Sequence, residues 1–248
     1  MAARRETSLG GGGRGFPSTH WSLIVGAKNR DSGECRRALD ELCRLYWKPI
    51  YAYVRIARSL TNEEAKDLAQ EFILHMIEGE MLQRFAPEKG SFRGYLRGAL
   101  RIFLMKQHHK KIALKRGGGR AVLALDHSET RGVEDQIMAG EATPEDAFEQ
   151  QWANSVIDLA VAELKTEMIR EGKEIHFSLF DRHELHPPAT GTPSHADLAA
   201  EFRLRESDVN HALAACRRSL REHVRNQIRK YVSSEEELSD EIRRFFTV

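Results

Sequence analysis

The chain is predicted to be all-α, and three observations predict it. Apolar residues recur at three- and four-residue steps over most of the length, no run alternates apolar and polar residues between hairpin turns, and Thr143 and Ser194 each stand three residues before a carboxylate at a helix start. The 248 residues are 41% hydrophobic and 30% charged, a soluble globular composition whose length suits two small domains better than one. Cys35, Cys43 and Cys216 are odd in number and form no CxxC pair, which argues against a disulfide framework and a zinc ribbon and points to a reducing cytoplasm. No apolar run approaches the roughly 20 residues that cross a bilayer, and the N-terminus lacks the apolar core of a signal peptide, so no membrane partner is expected.

Residues 1–15 contain the run Gly10 to Gly13 and read as a flexible leader, because glycine loses the most backbone entropy and offers nothing to bury. Residues 16–115 read as a first helical domain. Ala38, Leu42, Leu45 and Tyr46, then Leu68, Phe72, Ile73 and Met76, each mark one buried helix face. Pro87 to Ser91 interrupts the pattern, and Ser91 caps a basic helix. From Lys89 to Leu125 there are ten Lys or Arg and no Asp or Glu, although the whole chain carries a formal net charge of only +1. Charge segregated in this way makes a polyanion-binding surface. Phe92, Tyr95 and Phe103 lie among the basic residues, and a positive groove with aromatic platforms suits single-stranded nucleic acid, at roughly 1–3 kcal/mol per stacked base. The candidate contacts are Lys89, Phe92, Arg93, Tyr95, Arg97, Arg101 and Lys106, while Phe103 shares core spacing with Leu96, Leu100 and Leu104.

Residues 116–142 open on Arg116 and three glycines and then turn acidic, from Asp126 to Glu141. They read as a flexible linker, either a solvated spacer or an acidic segment that lies on a basic surface when DNA is absent. Residues 143–232 read as a second helical domain. A long helix from Thr143-Pro144 to about Glu171 carries Phe148, Trp152, Val156, Leu159, Ala160 and Leu164 as its buried stripe, and a second from Lys173 to Leu185 stops at Pro187-Pro188. A third starts at Ser194 and a fourth runs from Glu206 past Arg229, and together these two fit a wingless helix-turn-helix. Val209, Ala212, Leu213, Cys216 and Leu220 face inward, leaving Arg205, Ser207, Asn210, His211, Arg217, Arg218 and Arg221 to meet duplex DNA. Arg203 stands where glycine often relieves a positive φ, and Arg205 where a Ser or Thr cap is usual. Residues 233–248 read as an amphipathic tail that packs on the second domain or docks on a regulator or polymerase.

Glu64, Asp67 and Glu71 fall at i, i+3 and i+7 beside Gln70, a carboxylate face suited to a divalent metal or to a protein partner. His176, His183 and His186 share a second candidate face. Neither has a matching ligand cluster elsewhere in the sequence, so no catalytic residue, metal or cofactor is expected.

The segment DLAQEF from Asp67 to Phe72, followed by GSFRGYLRGALRIFL from Gly90 to Leu104, resembles the second conserved region of bacterial sigma factors of the sigma-70 family. With FPSTHWSLI from Phe16, ELCRLYWKPIYAY from Glu41, KRGGG from Lys115 and TPEDAFEQQWA from Thr143, the chain resembles the extracytoplasmic-function subgroup found mostly in planctomycetes and acidobacteria. The resemblance implies that Asp67, Gln70, Glu71 and Phe72 dock on the clamp helices of core RNA polymerase. It implies that the loop and helix from Glu88 to Lys115 open the promoter at its minus 10 element and hold the non-template strand, and that the helix-turn-helix reads the minus 35 duplex. Tyr95 stands where many members have Trp, and Ile102 where they have Asn, so the particular base contacts differ. An anti-sigma factor or a regulatory kinase is a further partner of such proteins. Two other readings remain open: a stand-alone helix-turn-helix regulator, and a metal-dependent nucleic-acid enzyme using Glu64, Asp67 and Glu71.

Overall fold

The computed structural model describes residues 22–28, 33–113, 134, 142–232 and 234–245. The leader, the Phe16 motif through Trp21, the Lys115 to Gly119 motif and nearly all of the expected linker lie outside the described residues. The elements are α1 (Ser22–Lys28), α2 (Gly33–Ala57), α3 (Asn62–Glu78), α4 (Met81–Arg84), α5 (Phe92–Ala113), α6 (Pro144–Arg170), α7 (Glu174–Phe180), α8 (His195–Phe202), α9 (Glu206–Arg229) and α10 (Glu235–Phe245). No strand occurs among the described residues, in line with the all-α expectation. No described helix is long and apolar enough to cross a membrane.

Local chemistry sets the helix starts. Thr61, Thr143 and Ser194 each accept the backbone N–H three residues on, while Glu64, Asp146 and Asp197 accept the cap residue's own N–H. These hydrogen bonds hold the Asp146 and Asp197 carboxyls below the usual carboxylate range. Glu64, one of the three candidate metal ligands, is therefore engaged at the α3 cap, with its Oε2 3.0 Å from Thr61 N and 2.8 Å from Thr61 Oγ1.

The buried side chains form two cores. In the larger, fully buried Tyr46 of α2 lies between rings of α5 and α6, 5.6 Å from Phe92 and 6.4 Å from Phe148 between centroids. Ala65, Phe72 and Met76 of α3, Trp152 and Val156 of α6, Ile228 of α9 and Leu238 of α10 complete it. The smaller core joins Leu164 and Met168 of α6 to Leu179, Phe180, Leu198, Val209, Leu213 and Cys216. Helices α6 and α9 thus run antiparallel through both. Glu167 of α6 accepts a hydrogen bond from Ser219 and sits 2.8 Å from His223 Nε2, and Lys230 reaches Glu41 of α2 at 3.3 Å and Glu163 of α6 at 3.4 Å. The Ser219 hydroxyl, with help from His223, holds the Glu167 carboxyl below its ordinary range against the opposing effect of burial.

This partition departs from the expected boundary between residues 16–115 and 143–232. The first half of α6, the last half of α9 and the tail close the core that α2, α3 and α5 begin. Of the stripe expected on α6, Phe148, Trp152, Val156, Ala160 and Leu164 are buried and Leu159 is half-buried, but such a stripe carries no mark of what it packs against. The tail is amphipathic as expected, yet its seat includes first-block side chains as well as those of α6 and α9.

Candidate nucleic-acid interface

Helix α5 carries the basic segment. Gly90, at φ +127°, turns the chain out of the Pro87–Lys89 3-10 turn in a conformation that L side chains rarely adopt, and Ser91 Oγ accepts Gly94 N at 3.2 Å to open the helix. Phe92, Leu96, Leu100 and Leu104 face the core and are all buried. Phe92 is 0% exposed, wedged edge-on to Phe85 at 5.1 Å and to Tyr46, so it presents no ring to a nucleobase in this conformation. That corrects its assignment as a stacking platform: as the first residue of a capped amphipathic helix, it falls on the apolar row with Leu96 and Leu100.

Lys89, Arg101 and Lys106 are exposed. Arg93 is not, at 4% exposure, and pairs with Glu149 and Glu241. Arg97 is half-buried and pairs with Glu149 at 2.7 Å. Tyr95 is half-buried; its hydroxyl donates to the Met81 carbonyl at 2.8 Å, its ring lies 5.2 Å from Phe85, and burial pushes its phenol up. Beside it α3, α4 and α5 enclose an open groove of about 660 Å³. Gly98 and Ala99 line its α5 side, Tyr95 and Phe103 supply rings, and its charges are of both signs: Arg84, paired with Glu80 at 2.5 Å, Lys106, and the carboxylates of Glu71 and Glu80. Phe103, half-buried rather than sealed in the core, stacks on His75 at 5.9 Å and 27° and meets Phe72 edge-on at 5.2 Å. Its rings offer stacking surface to a planar group, with Lys106 the cation of its lining that pairs with no lining carboxylate among the described residues.

The α3 face abuts this groove. Asp67 and Glu71 are exposed, Gln70 is half-buried, and Glu71 accepts a hydrogen bond from Gln107 of α5. Phe72 is fully buried and so belongs to the core rather than to a presented docking face. Among the described residues, no group of three or more His, Cys, Asp or Glu side chains is placed to hold a metal ion. Burial, aided by Asp40 at Cys43 and by Glu167 and Glu184 at Cys216, pushes both thiols up to about 11, which removes them as nucleophiles near neutral pH.

Helices α8 and α9 form the other predicted face. Arg203 ends α8 in the left-handed conformation at φ 55°, ψ 47°, and Leu204 N donates back to Ala199 O at 2.9 Å, a Schellman-type stop with arginine in the glycine position. Arg205 has no acceptor with which to cap α9, so the pairing reverses: its guanidinium holds Asp208 at 2.9 and 3.0 Å, and Asp208 accepts Arg205 N at 3.4 Å. That hydrogen bonding lowers Asp208 and raises Arg205. Ser207, Asn210, His211, Arg218 and Arg221 are exposed along one side of α9, whereas Arg217 is half-buried and bound to Glu184 at 2.5 Å.

Sequence reasoning missed the acids that engage the basic residues. Glu149 and Glu241 hold Arg93 and Arg97 of α5, and Glu134 accepts from Tyr51 and pairs with Arg55 of α2 at 3.1 Å. Only Glu134 had a signal, as part of an acidic stretch proposed to lie on basic surface. Arg84 and His75 of the groove had none. No family model, no curated protein and no solved structure matches this chain.

Proposed function

We propose that this protein is a sigma-type transcription initiation factor of the extracytoplasmic-function kind, acting in the bacterial cytoplasm and performing no bond chemistry. In this reading Asp67, Gln70 and Glu71 meet core RNA polymerase, α5 and its groove hold the melted non-template strand at minus 10, and α8 and α9 act as a helix-turn-helix on the minus 35 duplex. The observation that carries it is the juxtaposition of an exposed acidic face on α3 with a ring-lined groove and the exposed cations Arg101 and Lys106 on α5, since one factor must grip a protein and a single strand side by side. Ser207, Asn210 and His211 stand exposed over the first turns of α9, where base edges are read.

Mixing the chain with sigma-free core polymerase tests this directly. Co-elution as one complex is expected, and Asp67→Ala with Glu71→Ala is expected to abolish it. Failure of the unaltered chain to co-elute would favour the second reading, a stand-alone helix-turn-helix regulator. That alternative has its own support, because the outward side of α9 is open in the same conformation in which Arg93 is covered.

A further inference from the structure

One row of arginines runs along α5. Arg93, Arg97 and Arg101 stand four residues apart and so lie on a single ridge, yet the first is buried, the second half-buried and the third exposed. What covers Arg93 comes from α6 and α10. Its Nη1 lies 2.9 Å from Glu149, its Nη2 2.9 Å from Glu241, and its guanidinium carbon 3.9 Å from the centre of the Trp152 ring. Glu241 is itself only 2% exposed. Leu238 and Phe245 anchor α10 around this pair, with the Phe245 ring 5.9 Å from Trp152. At its other end α10 is fastened to α9, where Glu235 meets Arg229 at 3.2 Å and Arg225 at 3.4 Å.

Resting on the reading of α5 as a single-strand-binding helix, we propose that α10 is a displaceable intramolecular latch whose Glu241 carboxylate occupies the Arg93 guanidinium until a nucleic-acid phosphate replaces it. Losing Glu241 leaves Nη2 of the buried guanidinium with no carboxylate, Glu149 holding Nη1 only, so α10 stays shut when no other anion is at hand. A phosphate oxygen takes the place of the Glu241 carboxylate at Nη2 while Glu149 keeps Nη1, so exchange preserves the compensation and joins Arg93 to exposed Arg101 and to half-buried Arg97, which shares Glu149 at 2.7 Å. The latch is an 11-residue helix, too short to persist by itself in water, and it depends on its seat. The Glu235 contacts keep it tethered at the α9 end, so the Glu241 and Phe245 end swings away. The same movement bares Trp152, and an indole beside a row of arginines is a stacking platform for a base.

The test uses the full chain, Glu241→Gln, and Glu236→Gln as a control that removes an exposed acid from the same helix. A fluorescein-labelled single-stranded DNA of about 12 nucleotides is titrated at low salt, and amide exchange is followed with and without that strand. Glu241→Gln is expected to bind about tenfold tighter, with Glu236→Gln within about twofold of the unaltered chain. Saturating strand is expected to speed exchange in α10 about tenfold or more while the centre of α9 is unchanged. Equal tightening by both substitutions, or α10 exchange indifferent to bound strand, overturns the latch and leaves the single-strand reading in place. If Glu241→Gln proves misfolded, the exchange of the unaltered chain decides by itself. Absence of binding by every chain overturns the single-strand reading and takes the latch with it.

Discussion

At Arg203 a side chain occupies a backbone conformation that favours glycine. Its φ of 55° lets Leu204 N reach back to Ala199 O and turns the chain from α8 into α9, and a left-handed L-residue costs roughly 1–2 kcal/mol. Glycine would remove most of that cost but lose more backbone entropy on folding, by roughly 0.5–1 kcal/mol. Arg203→Gly is therefore expected to raise stability by about 0.5–1 kcal/mol in urea unfolding. A loss of stability instead would mean that the exposed guanidinium makes a contribution larger than the strain. Sequence had flagged both Arg203 and Arg205 as departures from the usual turn. The backbone accommodates each differently, the first by strain and the second by recruiting Asp208.

Helix α5 has two sides, and they were unequally legible. Its core side followed from spacing alone: Leu96, Leu100 and Leu104 are buried as their four-residue steps demanded. Its outer side was legible as basic, but whether a given arginine meets solvent depends on Glu149 and Glu241, acids carried by distant helices. Phe92 was ambiguous for the same reason, since an aromatic at the first turn is either a platform or a wedge until the neighbouring helices are known. Being a wedge, it belongs to stability. Phe92→Ala is expected to cost about 3–5 kcal/mol in urea unfolding, so any loss of nucleic-acid binding in that variant reports unfolding rather than a missing base contact. Tyr95→Phe keeps the ring in the groove and removes the hydrogen bond to Met81, and is expected to cost only about 0.5–1.5 kcal/mol. Comparable costs for the two would place Tyr95 in the core as firmly as Phe92.

Across the whole molecule, α6 and α9 each contribute to both cores, so neither core is complete without them. The longer helices were legible, including the starts at Thr143 and Ser194 and the tail helix, whereas α1, α4 and the Thr61 cap of α3 were not, and the helix expected from Lys173 to Leu185 is α-helical only to Phe180, where α7 ends. Domain partition was not, because a residue's burial is a local pattern whereas its packing partner is a long-range choice. The shared helices predict one cooperative unit: under native conditions the slowest amides at the centres of α2, α6 and α9 are expected to share a single opening free energy. An opening free energy for the start of α9 several kcal/mol below that of α2 would show that the smaller core unfolds independently.

The burial of Arg93 also sets an order for synthesis. Its side chain emerges from the ribosome with α5, well before either Glu149 or Glu241 exists. The core around Tyr46 and Phe92 cannot close without Phe148 and Trp152 of α6, so until that helix arrives with Glu149 the guanidinium stands in water. Every nascent chain thus passes through an interval in which the arginine ridge is bare along its length and its anions have yet to be translated.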